Sequence, residues 1–175
     1  MEPDPFLVRA HRDYVQTLIA EGGERRALDL AGGTGRNAIF LAEQGWNVTL
    51  LDISDVGIER AQVEAAKRGL LIKVRNEDAA FADLGRAAFD LIAVFFFLER
   101  ELFPDIREAL KPGGLLIYRT YTIEHPRLSG GRGPRHSMHL LKRNELLQVF
   151  SALEVLFYRE TVIGKGVAEL VARRP

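Results

Sequence analysis

The run Ala27-Leu28-Asp29-Leu30-Ala31-Gly32-Gly33-Thr34-Gly35-Arg36-Asn37 constrains this chain more than any other stretch. A short apolar segment carrying one carboxylate, Asp29, turns at spaced glycines into an amphipathic stretch, Asn37 to Gln44. That pattern predicts strand, tight turn and helix. Glycines bend such a turn sharply and let the backbone approach a ligand closely. The helix start offers unpaired N–H groups at the same place. A second apolar run, Trp46 to Leu51, ends in Asp52, nineteen residues after Gly33. A carboxylate at the tip of the neighbouring strand is placed to accept hydrogen bonds from a ribose diol. The two features together point to a nucleoside cofactor.

The remaining bounds narrow the class. At 175 residues the chain predicts a single domain over 1–175, with a leading helix in 1–24 and a cofactor-binding core in 25–175. A hydrophobic fraction of 47% suffices for a real core, and the formal net charge of zero gives no global field toward nucleic acid or membrane. The N-terminus Met1-Glu2-Pro3-Asp4-Pro5 is acidic and Pro-rich, unlike a secretion signal. The longest apolar run, Leu91 to Leu98, reads as a buried strand, well short of the ~18 residues of a membrane span. Cysteine is absent, which removes disulfides, thiolate metal sites and a cysteine nucleophile. A cytoplasmic location is expected.

Apolar strand-like runs alternate with helical patterns, which predicts an α/β fold, a parallel sheet with helices on both faces. The expected elements are a leading helix (5–20, with Phe6, Leu7, Val8, Tyr14, Val15, Leu18 and Ile19 inward) and strands at 26–31, 47–52, 70–74, 89–96 and 115–121. Helices are expected at 34–44, from Ser54 to before Gly69, at 99–110 (stopped by Lys111-Pro112-Gly113-Gly114) and at 142–150. Residues 122–138 read as irregular. The end differs from the rest: 153–162 and 167–172 are two strands joined by Ile163-Gly164-Lys165-Gly166. Four residues cannot hold a crossover helix, so these strands form an antiparallel hairpin.

Gly33-Thr34-Gly35-Arg36-Asn37-Ala38 also satisfies G-x-G-x-x-A, so a nicotinamide-dependent oxidoreductase is one reading. Asp29 inside the first strand, the missing second mononucleotide half and the closing hairpin argue against it. With Asp29-x-Ala31-x-Gly33-x-Gly35, the Lys111-Pro112-Gly113-Gly114 turn and the terminal hairpin, the chain resembles the class I S-adenosylmethionine-dependent methyltransferases. Gly35-Arg36-Asn37-Ala38 and Phe89-Asp90-Leu91-Ile92 are similar to the small bacterial branch that includes the tellurite-resistance methyltransferases. The resemblance implies a Rossmann-like doubly wound sheet of seven strands in the order 3-2-1-4-5-7-6, strand 7 antiparallel. It implies S-adenosylmethionine as cofactor, S-adenosylhomocysteine as product and a small-molecule methyl acceptor. Ala31 departs from the motif, standing where the family has its first glycine. A non-catalytic protein that keeps the cofactor site is a second rival, and a methyltransferase acting on RNA or protein, supported only by the basic loop after strand five, is a third.

The resemblance assigns Asp29, Gly33 and Gly35 to the methionine part of the cofactor, and Ala31, Gly32 and Asn37 to the cofactor site around them. Asp52 would hold the ribose and Ile53 the adenine face. Asp78-Ala79 would lie near the adenine amino group, and Val94 and Phe95 would line the site at the end of strand four. The bland alternatives are a turn-capping role for Asp29, a helix N-cap role for Asp52 and plain core for members of the Phe95-Phe96-Phe97 run. Arg36 sits where a guanidinium could bind a carboxylate or be merely solvated. After strand five, residues 119–139 carry Arg119, His125, Arg127, Arg132, Arg135, His136 and His139 against one acid, Glu124. This basic tract predicts an anionic or electron-rich acceptor, with Arg36, Arg119 and His136 as substrate contacts and Tyr121 and His125 as catalytic candidates. No metal site is expected, and no nucleic-acid partner. The leading helix leaves monomer and homodimer both open.

Overall fold

The computed structural model describes residues 1–18, 23–130 and 132–175. Its core is one seven-stranded sheet: β1 (Arg26–Leu30), β2 (Asn47–Asp52), β3 (Lys73–Asn76), β4 (Phe89–Phe95), β5 (Leu110–Tyr121), β6 (Glu154–Thr161) and β7 (Val167–Arg173). The order is β3-β2-β1-β4-β5-β7-β6. The first five strands run parallel, while β7 runs antiparallel to both β5 and β6. The expected order and hairpin are therefore present. The chain order reverses direction between β1 and β4, and open α/β sheets bind ligands at the carboxyl ends of strands at such a point.

Two apolar clusters cover the two faces. One joins Leu28, Leu30, Ile92, Val94, Leu116 and Tyr118 to Phe103, Ile106 and Phe150. The other joins Ala27, Leu50, Leu91, Phe95 and Ile117 to Leu41, Trp46 and the leading segment through Phe6, Leu7, Ala10 and Val15. The strand residues alternate between these clusters because successive side chains point to opposite faces. The flanking helices are α3 (Arg36–Glu43), α4 (Asp55–Lys67) and α5 (Phe103–Ala109). Ser54 caps α4 by accepting from the Gly57 N–H at 3.1 Å.

Several boundaries move. The leading segment is not one regular helix: α1 (Pro5–Ala10) passes through a π-helical stretch (His11–Val15) into α2 (Gln16–Leu18). The wider π turn changes the angle at which later side chains leave the helix axis. Ala10 and His11 turn inward, whereas Val8 and Leu18 face solvent. Ile19 lies outside the described residues. His11 is fixed by the Trp46 indole N–H, which donates to Nε2 at 3.1 Å.

β3 starts at Lys73 rather than Leu70. The Leu70 N–H still closes the end of α4 on Ala65 O, and Leu71 is 93% exposed. β5 starts at Leu110, which pairs with Phe89; Lys111–Gly114 then bulges out of the β4 ladder, with Gly113 at φ +80°, and exchanges hydrogen bonds with Arg174 after β7. Helical structure in 99–110 begins as a 3₁₀ turn, and the helix expected at 142–150 shrinks to α7 (Glu145–Val149). The tract read as irregular contains α6 (His125–Leu128) and a 3₁₀ turn, Ser137–His139.

Candidate active site

The glycine turn is built by backbone hydrogen bonds onto carboxylates. Asp29 is fully buried beneath it, and its Oδ2 accepts from the Ala38 N–H at the start of α3 at 2.9 Å. Among the described residues its Oδ1 has no hydrogen-bond partner. Burial pushes the carboxyl up to about 7; the Ala38 N–H opposes this and the Asp52 charge adds to it. Asp52 accepts from the Gly33 N–H at 2.7 Å through Oδ2 and from the Ser54 N–H at 2.8 Å through Oδ1. Each oxygen keeps a second lone pair. Gly35 has φ +74°, and a Cβ there would come within 2.6 Å of Ala61 Cβ, so α4 can pack against the turn only at glycine. Gly33 is the opposite case: a Cβ there would meet nothing within 4 Å, which leaves the turn open above it. Gly32 donates its N–H to Leu51 O and closes the turn onto β2.

Beside this turn lies a cleft of about 230 Å³ lined by Ala31, Asp52, Ile53, Asp78, Ala79, Phe96 and Phe97. Ile53 is 66% exposed, an apolar surface without a protein partner. Asp78 is exposed and caps the turn after it, its Oδ1 accepting from the Ala80 N–H at 3.0 Å. Two carboxylates, an apolar wall and an unfilled space over Gly33 fit the diol, ring and amino-acid tail of a nucleoside such as S-adenosylmethionine. The unpartnered, buried Asp29 oxygen below the tail position agrees. Five of the expected residues thus meet at one cleft: Ala31, Asp52, Ile53, Asp78 and Ala79.

Val94 and Phe95 do not line that cleft. Val94 is buried in one core cluster, and Phe95 packs on Phe6 with ring centroids 6.5 Å apart. The cleft is lined instead by Phe96 and Phe97, to which the sequence assigned no cofactor role. The cause is a backbone reversal at Phe96, φ +56°. Ala31 has φ +54° at the end of neighbouring β1. Two non-glycine residues in left-handed backbone thus border the β1/β4 switch point, where strain commonly marks function. Nothing in a run of three phenylalanines signals the reversal.

Arg36, Asn37 and Arg119 are committed to the leading segment. Asp4, 2% exposed, caps α1 and accepts from Arg119 Nη1 at 2.8 and 3.0 Å; Arg36 lies at 3.6 Å. Asn37 is buried, and its side-chain oxygen accepts from the Asp4 N–H at 2.9 Å. Arg119 also faces Glu169 at 3.3 Å and stacks its guanidinium 5.4 Å from the Phe96 ring centroid.

Past Phe96 the aromatic run continues. Its ring lies 4.8 Å from Tyr121, and Tyr121 lies 4.1 Å from His125. Tyr121 and His125 line a second, larger cavity of about 510 Å³ with Leu128, Ser129, Gly130, Arg132, Gly133, Gly164 and Lys165. The two catalytic candidates therefore stand together, but differently. His125 is buried, its Nε2 is 2.8 Å from Arg132 O, and its buried Nδ1 has no hydrogen-bond partner among the described residues. A carbonyl only accepts, so Nε2 carries the hydrogen. Among the described residues, no hydrogen bond engages the Tyr121 hydroxyl. His136 lines neither cavity; its Nδ1 accepts from the Met138 N–H at 3.3 Å and caps the turn there.

Fold and site define a Rossmann-like sheet with a crevice at its switch point whose lining fits a nucleoside. A family model described as a methyltransferase domain matches residues 27–114, half of the chain, and the chain belongs to that family. It is 32% identical over 131 residues to a Geobacillus sp. (strain WCH70) protein described as a methyltransferase, covering 66% of this chain and 53% of that one. It is also 32% identical over 114 residues to the tRNA 5-carboxymethoxyuridine methyltransferase of Escherichia coli (strain K12), covering 59% and 44%. The chain spans about half the length of the curated relatives it matches. Among solved structures, TehB from Haemophilus influenzae superposes with a TM-score of 0.74 at 22% identity, covering 97% of this chain and 67% of TehB. A S-adenosylmethionine-dependent methyltransferase from Clostridium acetobutylicum ATCC 824 gives 0.73 at 15%, covering 97% and 89%. At these identities the structures speak to fold.

Proposed function

We propose that this chain is a S-adenosylmethionine-dependent methyltransferase acting on a small-molecule acceptor. The observation that carries the reading is the ring run Phe96–Tyr121–His125, which joins the nucleoside-shaped cleft to the larger cavity. The cofactor, when bound, supplies the electrophilic methyl group. The chain's own residues bind and orient. Asp52 holds the ribose, Asp78 and Ile53 the adenine, and Gly33 leaves room for the methionine tail. Phe96 and Phe97 wall off water between the two cavities, and Tyr121 offers its hydroxyl to the acceptor. His125 fixes the loop through Arg132 O and supports the Tyr121 ring, a positioning role. Arg36 and Arg119, spent on Asp4, hold the leading segment over the methionine end.

Calorimetric titration with S-adenosylmethionine, S-adenosylhomocysteine and NADH tests the cofactor. Binding of the first two in the micromolar range, weakened at least about 30-fold by Asp52→Ala, is the expected result. Binding of NADH alone would turn the reading to an oxidoreductase. Tight cofactor binding with no methyl transfer to any member of a broad acceptor panel would turn it to a non-catalytic binder.

A further inference from the structure

We infer that the acceptor carries an oxyanionic head group, carboxylate or phosphate, bound by Arg132 and Lys165. The inference rests on the methyltransferase reading and names the substrate class of the same site.

In this chain most arginines around the carboxyl end of β5 are paired. Arg119 is paired with Asp4 and Glu169, Arg159 with Glu169, Arg100 with Glu145, and both Arg127 and Arg143 with Glu124. The 510 Å³ cavity breaks that pattern. Among the described residues its lining holds two cations and no aspartate or glutamate. Among the described residues the Arg132 guanidinium is hydrogen-bonded to the Ser129 carbonyl alone, at 3.5 Å, and neither Arg132 nor Lys165 meets a carboxylate. The two come from different parts of the chain, one from the loop after α6 and the other from the β6–β7 turn. The antiparallel register that sets Tyr121 opposite Val167, and the Thr122 N–H on Gly166 O at 3.0 Å, bring that turn to the strand end.

Uncompensated cations converging on one concave surface raise the local concentration of anions and favour charge-assisted hydrogen bonds to them. The volume is that of a small-molecule site. Its polarity is fixed by its neighbours. Tyr121 stands on the side that leads through Phe96 to the cofactor cleft, while Arg132 and Lys165 stand on the loop and turn. The reacting atom of the acceptor therefore lies toward Tyr121, and the anionic group toward the loop.

The test uses the full chain saturated with S-adenosylhomocysteine and titrates matched pairs: 4-hydroxybenzoate against 4-hydroxybenzamide, 4-hydroxyphenylacetate against its amide, and 4-hydroxyphenyl phosphate against hydroquinone. In at least one pair the anion should bind about ten-fold more tightly than its neutral partner. Whether carboxylates or the phosphate show the preference identifies the head group. The preference should shrink with added salt and collapse in Arg132→Gln/Lys165→Gln. Both residues are exposed, so melting temperature and S-adenosylhomocysteine affinity should stay unchanged in the double variant. No preference in any pair, or a preference that survives the double variant, overturns the inference while leaving the cofactor reading intact. Binding of a short RNA in place of every small probe overturns it in favour of a nucleic-acid acceptor. Failure of S-adenosylhomocysteine itself to bind overturns the cofactor reading, and this inference with it.

Discussion

The half of the site that we assign to the cofactor, Leu28 to Asp78, and the half that we assign to the acceptor, Arg119 to Glu169, are held by different forces. In the first, each carboxylate is fixed by backbone N–H groups a few residues away or one strand over: Asp29 by Ala38, Asp52 by Gly33 and Ser54, Asp78 by Ala80. In the second, side chains from distant parts of the chain hold one another, as in the ladder Arg159–Glu169–Arg119 across β6, β7 and β5, extended to Asp4. Backbone-held carboxylates tolerate a ligand arriving and leaving, because the frame persists without it. A side-chain ladder stands or falls as a unit.

The largest expected effect breaks the ladder. Glu169 is 1% exposed and faces Arg159 at 2.6 Å, Arg119 at 3.3 Å and Arg9 at 3.9 Å. Removing one partner of a buried ion pair leaves the other charge uncompensated. Glu169→Gln should cost about 3 kcal/mol of stability, a fall in melting temperature of roughly 6–12 °C for a chain of this size. The affinity of the folded protein for S-adenosylhomocysteine should hold within about two-fold, since no cofactor contact is assigned to Glu169. A large loss of cofactor affinity at unchanged stability would erase the distinction between the halves.

Next in size is Asp29, the one buried acid of the cofactor half. Its folded-state value of about 7 lies above the ordinary 3.8. The carboxyl therefore favours folding most below about pH 4, and that contribution is lost as pH rises through about 7. Asn at this position cannot ionise, and its oxygen can still accept from the Ala38 N–H. Between about pH 4.5 and pH 8 the stability of Asp29→Asn, measured against the parent, should shift in the variant's favour by on the order of 2 kcal/mol. Cofactor affinity should fall over the same range. Parallel pH–stability curves for the two proteins would show that Asp29 does not titrate there.

This contrast also explains what the chain made legible. A carboxylate before spaced glycines, and a second acid one strand later, are local patterns with local causes, so the turn and Asp52 could be read directly; Ala31, Ile53, Asp78 and Ala79 followed from the family resemblance. The sheet order followed from a four-residue connector too short for a helix and from the family resemblance. Pairing partners were harder. Arg36 and Arg119 read as free cations because their acid, Asp4, lies 115 positions from Arg119 in the chain. Lys165 went unassigned, although the β5–β7 pairing implied by the sheet order already places its turn beside Tyr121. β3 was displaced because Leu70 and Leu71 look like strand residues, whereas the register opposite Thr49–Asp52 selects Lys73–Asn76. Phe96 was invisible because its backbone reversal is set by Arg119 O, which accepts its N–H at 2.7 Å from the next strand.

The smallest effect sharpens the comparison at the point where sequence and geometry disagree. Ala31 holds φ +54° in the turn it shares with Gly32, Gly33, Thr34 and Gly35, and it borders the cleft. Left-handed backbone costs an L-residue about 1–2 kcal/mol, and glycine gives back roughly 0.5–1 kcal/mol of this through its freer unfolded chain. Ala31→Gly should therefore gain about 0.5 kcal/mol of stability, readable as a rise in denaturation midpoint at constant slope. Because Ala31 also borders the cleft, S-adenosylhomocysteine should bind equally well or more tightly. The ordinary outcome of replacing alanine by glycine is a loss of similar size. A loss here would mean that the turn at Ala31 is relaxed by its neighbours and carries no strain for the cofactor half to use.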